Sequence, residues 1–112
     1  MRNAQLIYDL VALIPEGRVV SYGAVGRATP VRFVPVAVGR WMALSKGLPW
    51  WRVVGADGRL PLAKQDAGMA LMQQQKLSDE GVEFDDEVIP RRYFLTPEEL
   101  MDLASEAFGA ET

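Results

Sequence analysis

Ser21-Tyr22-Gly23-Ala24-Val25-Gly26-Arg27-Ala28-Thr29-Pro30, followed five residues later by Pro35-Val36-Ala37-Val38-Gly39-Arg40-Trp41-Met42, is the stretch that decides the fold. Ser21 is a good N-cap, because its hydroxyl can accept from an otherwise unpaired N–H in the first turn, so a short helix is expected from about Tyr22 to Ala28. Thr29-Pro30 then turns the chain. A proline removes a backbone donor and is tolerated at the first position of a helix, so a second helix is expected from Pro35 to about Ser45. Val38, Trp41 and Met42 or Leu44 would face the core. Two short helices joined by a turn read as a helix-turn-helix unit with the second helix as the reading element.

Working outward, Leu6, Ile7, Leu10, Val11, Leu13 and Ile14 recur at helical spacing and predict an amphipathic helix over 3–14, ended by Pro15-Glu16-Gly17. Arg18-Val19-Val20 is a short extended link. On the other side, Lys46-Gly47-Leu48-Pro49 is a loop, and Trp50 to Val54 reads as a turn and then a short strand. Asp57-Gly58 is a tight-turn signal, after which Arg59-Leu60 is expected to return as a second strand. Asp66 is expected to cap a helix running to about Glu80, with Ala67, Ala70, Leu71, Gln74 and Leu77 on its apolar face and Gly81 as terminator. Val82-Glu83-Phe84 is extended, and Arg91-Arg92-Tyr93-Phe94-Leu95 is expected to pair nearby. Thr96-Pro97-Glu98-Glu99 starts a last helix that ends near Phe108. The class is therefore mainly α with small β elements, in one domain over 1–112.

Composition removes whole classes of chemistry. The 112 residues contain no cysteine and no histidine. Disulfides, thiolate nucleophiles, Cys-ligated metal and imidazole bases are thereby excluded, and neither cofactor nor metal site is expected. No run approaches the roughly 20 apolar residues of a membrane span, and Asp9 interrupts the first apolar stretch, so a cytoplasmic protein without membrane partners is expected. The net charge of −3 hides an asymmetry: residues 1–64 carry nine bases and three acids, residues 65–112 three bases and twelve acids. A basic front and an acidic back fit a DNA-facing surface, as they also fit ordinary solvated surface.

Three segments now stand in one order: Ile14-Pro15-Glu16-Gly17-Arg18-Val19-Val20-Ser21-Tyr22-Gly23, then Ala37-Val38-Gly39-Arg40-Trp41-Met42, then Pro49-Trp50-Trp51-Arg52-Val53-Val54 with Glu80-Gly81-Val82 behind it. Over about residues 3–95 this pattern resembles the C-terminal domain of the O6-alkylguanine-DNA alkyltransferases, a winged helix-turn-helix-like DNA-binding domain. Residues 96–112 are expected to form a C-terminal helical extension. Trp50 stands where the family carries its nucleophilic cysteine, as in the alkyltransferase-like subgroup. The resemblance implies a non-enzymatic protein that binds double-stranded DNA in the minor groove, flips O6-alkylguanine into a pocket and signals nucleotide excision repair proteins. It also implies a nucleoid-associated location.

The resemblance carries over residue by residue. Tyr22 matches the tyrosine that presses on a target phosphate, and a partly buried helix-start aromatic is its competing reading. Ala37 and Gly39 match small residues that let the reading helix approach DNA. Gly39 otherwise serves a close helix–helix contact. Trp50, with Trp51 and Arg52 beside it, would form the lesion pocket, Trp50 offering a flat face and one N–H donor; a core tryptophan is the alternative. Arg52 is expected to hold loop backbone and Glu80 to be structural, paired with Arg52 or accepting backbone N–H bonds in the active-site loop. Arg18, Arg27, Arg32, Arg40, Arg59 and Lys64 would supply phosphate contacts.

Two departures stand out. The family histidine after the nucleophile is Trp51 here, so no proton relay to Glu80 can exist. The family's intercalating arginine falls on Val36, which can act only as an apolar wedge. Both losses favour a second reading: a diverged helix-turn-helix module that binds DNA without flipping, or binds a protein.

Overall fold

The computed structural model describes residues 2–30, 33, 35–44, 47–60 and 67–109. The elements run α1 (Arg2–Val11), β1 (Val20–Ser21), α2 (Tyr22–Ala28), α3 (Pro35–Leu44), a 3-10 turn (Trp50–Arg52), β2 (Val53–Val54), α4 (Ala67–Asp79), a second 3-10 turn (Arg91–Tyr93) and α5 (Pro97–Phe108). The mainly helical class with small β elements is the one expected. α2 and α3 start where Ser21 and Pro35 place them, and the Ser21 hydroxyl accepts the Ala24 N–H at 3.0 Å. Asp66, Arg32, Lys46 and Lys64 lie outside the described residues, as do the side chains of Val36, Trp41 and Leu44.

β1 and β2 pair in parallel, Val20 with Val53 and Ser21 with Val54, and Val19 bridges to Phe94. Successive strand residues point to opposite faces. Val20 and Val53 accordingly enter one core cluster with Ile7, Leu10, Val11, Ile14, Val25, Val38, Met42 and Leu100. Val19 and Val54 enter another with Leu77, Val82, Ile89 and Phe94. The tiny sheet is a partition between two cores: the first belongs to α1, α2, α3 and α5, the second to α4 and the segment after it.

Between α2 and α3 the backbone approach is very close. Gly26 accepts from the Phe33 N–H at 3.1 Å, and a Cβ on Gly26 would collide with the Phe33 carbonyl. α4 ends in a Schellman motif. Gly81 has φ +97, its N–H donates to Ser78 at 3.0 Å, and the Val82 N–H donates to Leu77 at 3.0 Å. α5 opens with a full capping box, Thr96 with Glu99, and Pro97 at its first position.

Several boundaries differ from expectation. α1 ends at Val11, and residues 12–14 close by shorter turns, with Ile14 N–H donating to Val11 at 3.1 Å. Arg59-Leu60 is not a strand. The turn closes when Gly55 N–H donates to Arg59 at 2.9 Å, and Gly58 then accepts from Ile89 at 2.8 Å, so the returning chain meets the 88–89 segment instead. On α4 the buried residues are Ala70, Gln73 and Leu77, while Ala67, Leu71 and Gln74 are exposed. The polar residue is inside because two backbone carbonyls need its donors.

Candidate functional site

The site is organised by one carboxylate. Glu80 sits immediately before Gly81, so the end of α4 aims it back at the Trp50–Arg52 turn. Its oxygens accept from the Trp51 indole N–H at 2.8 Å, from the Gly17 N–H at 2.9 Å, and from Arg52 Nη2 at 2.6 Å and Nε at 3.1 Å. The remaining Arg52 nitrogen, Nη1, donates to the Ile14 carbonyl at 2.7 Å. Burial tends to raise the Glu80 pKa, but the donors from Arg52, Gly17 and Trp51 outweigh it and hold the carboxyl below its ordinary value. Glu80 and Arg52 are nearly buried, 9% and 14% exposed. Glu80 thus ties together the chain after α1, the Trp-bearing turn and the end of α4.

Gln73 does a second part of this work and sequence reading missed it. It is fully buried, and its Nε2 donates to the carbonyls of Trp51 and Val53, each at 3.1 Å, while its Oε1 has no partner among the described residues. An amide is suited to this place because its two N–H groups can serve two carbonyls at once. The available signal was the spacing Ala70, Gln73, Leu77, an i, i+3, i+7 stripe interrupted by one polar residue.

The two tryptophans of the turn meet edge to face, centroids 6.0 Å apart and planes at 83°. They point into different surroundings. Trp51 packs against the second core cluster, gives its N–H to Glu80, and has Lys76 at 4.6 Å and Arg52 at 5.5 Å from its ring. Trp50 packs against the first cluster and stays partly exposed; its indole N–H has no partner among the described residues.

Tyr22, at the start of α2, also packs against the first cluster, and burial raises its hydroxyl pKa above the ordinary value. Its ring faces α3: a Cβ on Gly39 would lie 3.8 Å from Tyr22 Cε1, an ordinary contact. Ala37 and Gly39 are partly exposed and Arg40 is exposed on the same helix. Val36 takes part in α3, but its side chain lies outside the described residues, as does Arg32.

Arg18 is not a free cation: it donates to Glu99 at 2.8 and 3.1 Å and to the carbonyls of Tyr93 at 3.2 Å and Phe94 at 2.8 Å. Arg59 is exposed on the Asp57-Gly58 turn. Arg27 lies in the last turn of α2 and lines a cleft toward α5. Among the described residues no cluster of His, Cys, Asp or Glu could hold a metal ion, and no helix is long and apolar enough to cross a membrane.

The architecture is shared with known proteins. A crystal structure of S. pombe Atl1 in complex with damaged DNA containing O6-carboxymethylguanine superposes with a TM-score of 0.77 at 27% identity, covering 87% of this chain and 98% of that one. A structure of S. pombe ATL in complex with DNA gives a TM-score of 0.74 at 27% identity, with 86% and 96% covered. A Vibrio parahaemolyticus protein named DNA base-flipping protein is 35% identical over 81 residues, 69% of this chain and 77% of its own length. The family described as 6-O-methylguanine DNA methyltransferase, DNA binding domain, matches residues 3–82. The chain belongs to that family, as an alkyltransferase-like member that carries no cysteine.

Proposed function

We propose that the protein recognises O6-alkylguanine in double-stranded DNA by rotating the base into a pocket walled by Trp50, without taking the alkyl group. The observation that carries the reading is the state of Trp50. It stands at the family's nucleophile position, partly exposed and with its N–H uncommitted, on a turn held by Glu80, Arg52 and Gln73. Such an indole offers a flat face to a flipped purine and one donor, and has no electron pair suited to displacing an alkyl group. The names and bound DNA of the relatives support the same function.

In this reading α3 enters the minor groove, where Ala37 and Gly39 permit close approach and Val36 wedges into the base stack. Tyr22 presses on the target phosphate, and Arg40, with Arg27 and Arg32, contributes to a phosphate attraction that weakens with salt. Trp51 and Arg52 belong to the pocket as its support. The protein is a damage marker rather than an enzyme, and nucleotide excision repair proteins are its downstream partners.

The test is affinity for a duplex with and without a single O6-methylguanine, measured across salt. A preference of tenfold or more, about 1.4 kcal/mol, is expected. Equal affinity for the two duplexes would leave a helix-turn-helix module that binds DNA without flipping. Absence of binding to either would point to a protein-interaction role.

A further inference from the structure

A cleft of about 640 Å³ opens on the side of α2 turned away from α3. Two residues along a helix are about 200° apart around it. Tyr22 and Gly26 face α3 and its approach, so Ala24 and Ala28 face the other way, into the cleft. The opposite wall is α5. Phe94, Leu95 and Leu100 make an apolar floor, and Met101 stands at it 69% exposed.

Among the described residues, the charged ones that line the cleft are Arg27 and Arg91, both exposed. This is notable in a chain of net charge −3, and the acids of α5, Glu98, Glu99, Asp102 and Glu106, are absent from the lining. Arg27 makes no hydrogen bond or ion pair among the described residues. Arg91 lies over the Phe94 ring at 4.4 Å and gives one bond to the Ala56 carbonyl at 3.1 Å. Stacking positions a guanidinium in advance, and its other N–H groups remain for a carboxylate, which it can grip with two parallel bonds.

We propose that this cleft docks an acidic segment of a protein partner, anchored by apolar side chains on the Leu95–Leu100 floor and held by its carboxylates at Arg27 and Arg91. A nucleic-acid backbone would satisfy the arginines but brings no apolar side chain for the floor or for Met101. Arg27 is the one residue shared with the phosphate contacts proposed above; Arg91, Met101 and the apolar floor are not. The inference does not depend on lesion reading.

The experiment is an amide-shift titration of the full chain with an acetylated peptide that alternates aspartate with leucine and phenylalanine. Shifts are expected at Ala24, Arg27, Leu95 and Met101. Arg91→Glu and Met101→Glu, both at exposed positions, should each weaken the peptide about tenfold, the effect of losing one charge-assisted pair or adding one repulsion. Affinity for the O6-methylguanine duplex should be unchanged in both. No shift at these residues up to millimolar peptide would overturn the proposal. So would equal binding of the asparagine version of the peptide, since that removes charge selection. Duplex DNA that shifts the same residues and loses affinity in Arg91→Glu would make the cleft part of the nucleic-acid surface instead.

Discussion

Trp50 and Trp51 are consecutive residues in edge-to-face contact, yet they belong to regions built on opposite principles. On the Trp51 side polar groups are paired, Gln73 Oε1 excepted: Glu80 accepts from Gly17, Trp51 and Arg52, and Gln73 serves two carbonyls. On the Trp50 side the indole N–H is unengaged among the described residues and Arg40 is exposed. The paired region holds geometry, and the unpaired one keeps groups free for a ligand. An unpaired group in contact with water costs little, whereas one left buried costs about 1–3 kcal/mol. Apart from Gln73 Oε1 the division follows solvent access, and substitutions on the two sides should fail in different ways.

The largest effect is expected from Glu80→Ala. It strands the nearly buried Arg52 and leaves the Trp51 and Gly17 donors unpaired, and should lower unfolding free energy by about 3 kcal/mol in urea titration. A cost under half that would mean that water substitutes for the carboxylate and that the region is less dependent on pairing than described.

Next, Trp50→Ala should cost lesion preference at least tenfold, about 1.4 kcal/mol, while binding to undamaged duplex falls less. Trp51→Ala should show its main loss in stability instead. If Trp50→Ala lowers both duplex affinities equally, the assignment of Trp50 to the pocket is wrong. Gly39→Ala is a smaller test. A methyl group there meets Tyr22 at ordinary contact distance, so stability should hold or rise by up to about 1 kcal/mol through helix propensity, while DNA affinity drops. Unchanged affinity would remove close approach as the reason for the glycine.

The smallest effect concerns acid. Glu99, held by Arg18 and by the Thr96 N–H, has its pKa lowered from 4.5 to about 2. A depressed folded-state pKa gives stability that is full above the unfolded value and is lost as pH falls. The loss should run from about pH 4.5 to about pH 2, and Glu99→Gln should flatten that part of the stability curve. Glu99 is solvent-accessible, so screening keeps the effect small.

How much of this was legible in the sequence depended on the kind of signal. Caps and breakers act locally, so Ser21, Pro35, Gly81 and the Thr96-Pro97-Glu98-Glu99 start located α2, α3, the end of α4 and the start of α5. Pairings between distant segments were harder. Asp57-Gly58 correctly marked a turn but not the absence of a following strand, because Gly58 is claimed by Ile89, 31 positions later in the chain. Gln73 was hidden for a related reason: a polar residue looks like surface until the carbonyls of Trp51 and Val53 are known to lie opposite it. The pairing of Glu80 with Arg52 was among the alternatives foreseen. Its bonds to Trp51 and Gly17 depend on three segments meeting and left no mark in local spacing.

The partition formed by β1 and β2 has a kinetic consequence. Val20 and Val53 are separated by the whole of α2 and α3, so their pairing closes a long loop, at an entropic cost that must be met before the contact itself rewards it. Local helices can form early; the sheet cannot. Val53 follows Arg52 directly, so the Trp50–Arg52 turn is expected to take its final orientation when β1 and β2 pair, the step that closes the loop carrying α2 and α3. The pocket wall and the reading helix should thus appear together in folding, and a chain unable to present one would not present the other.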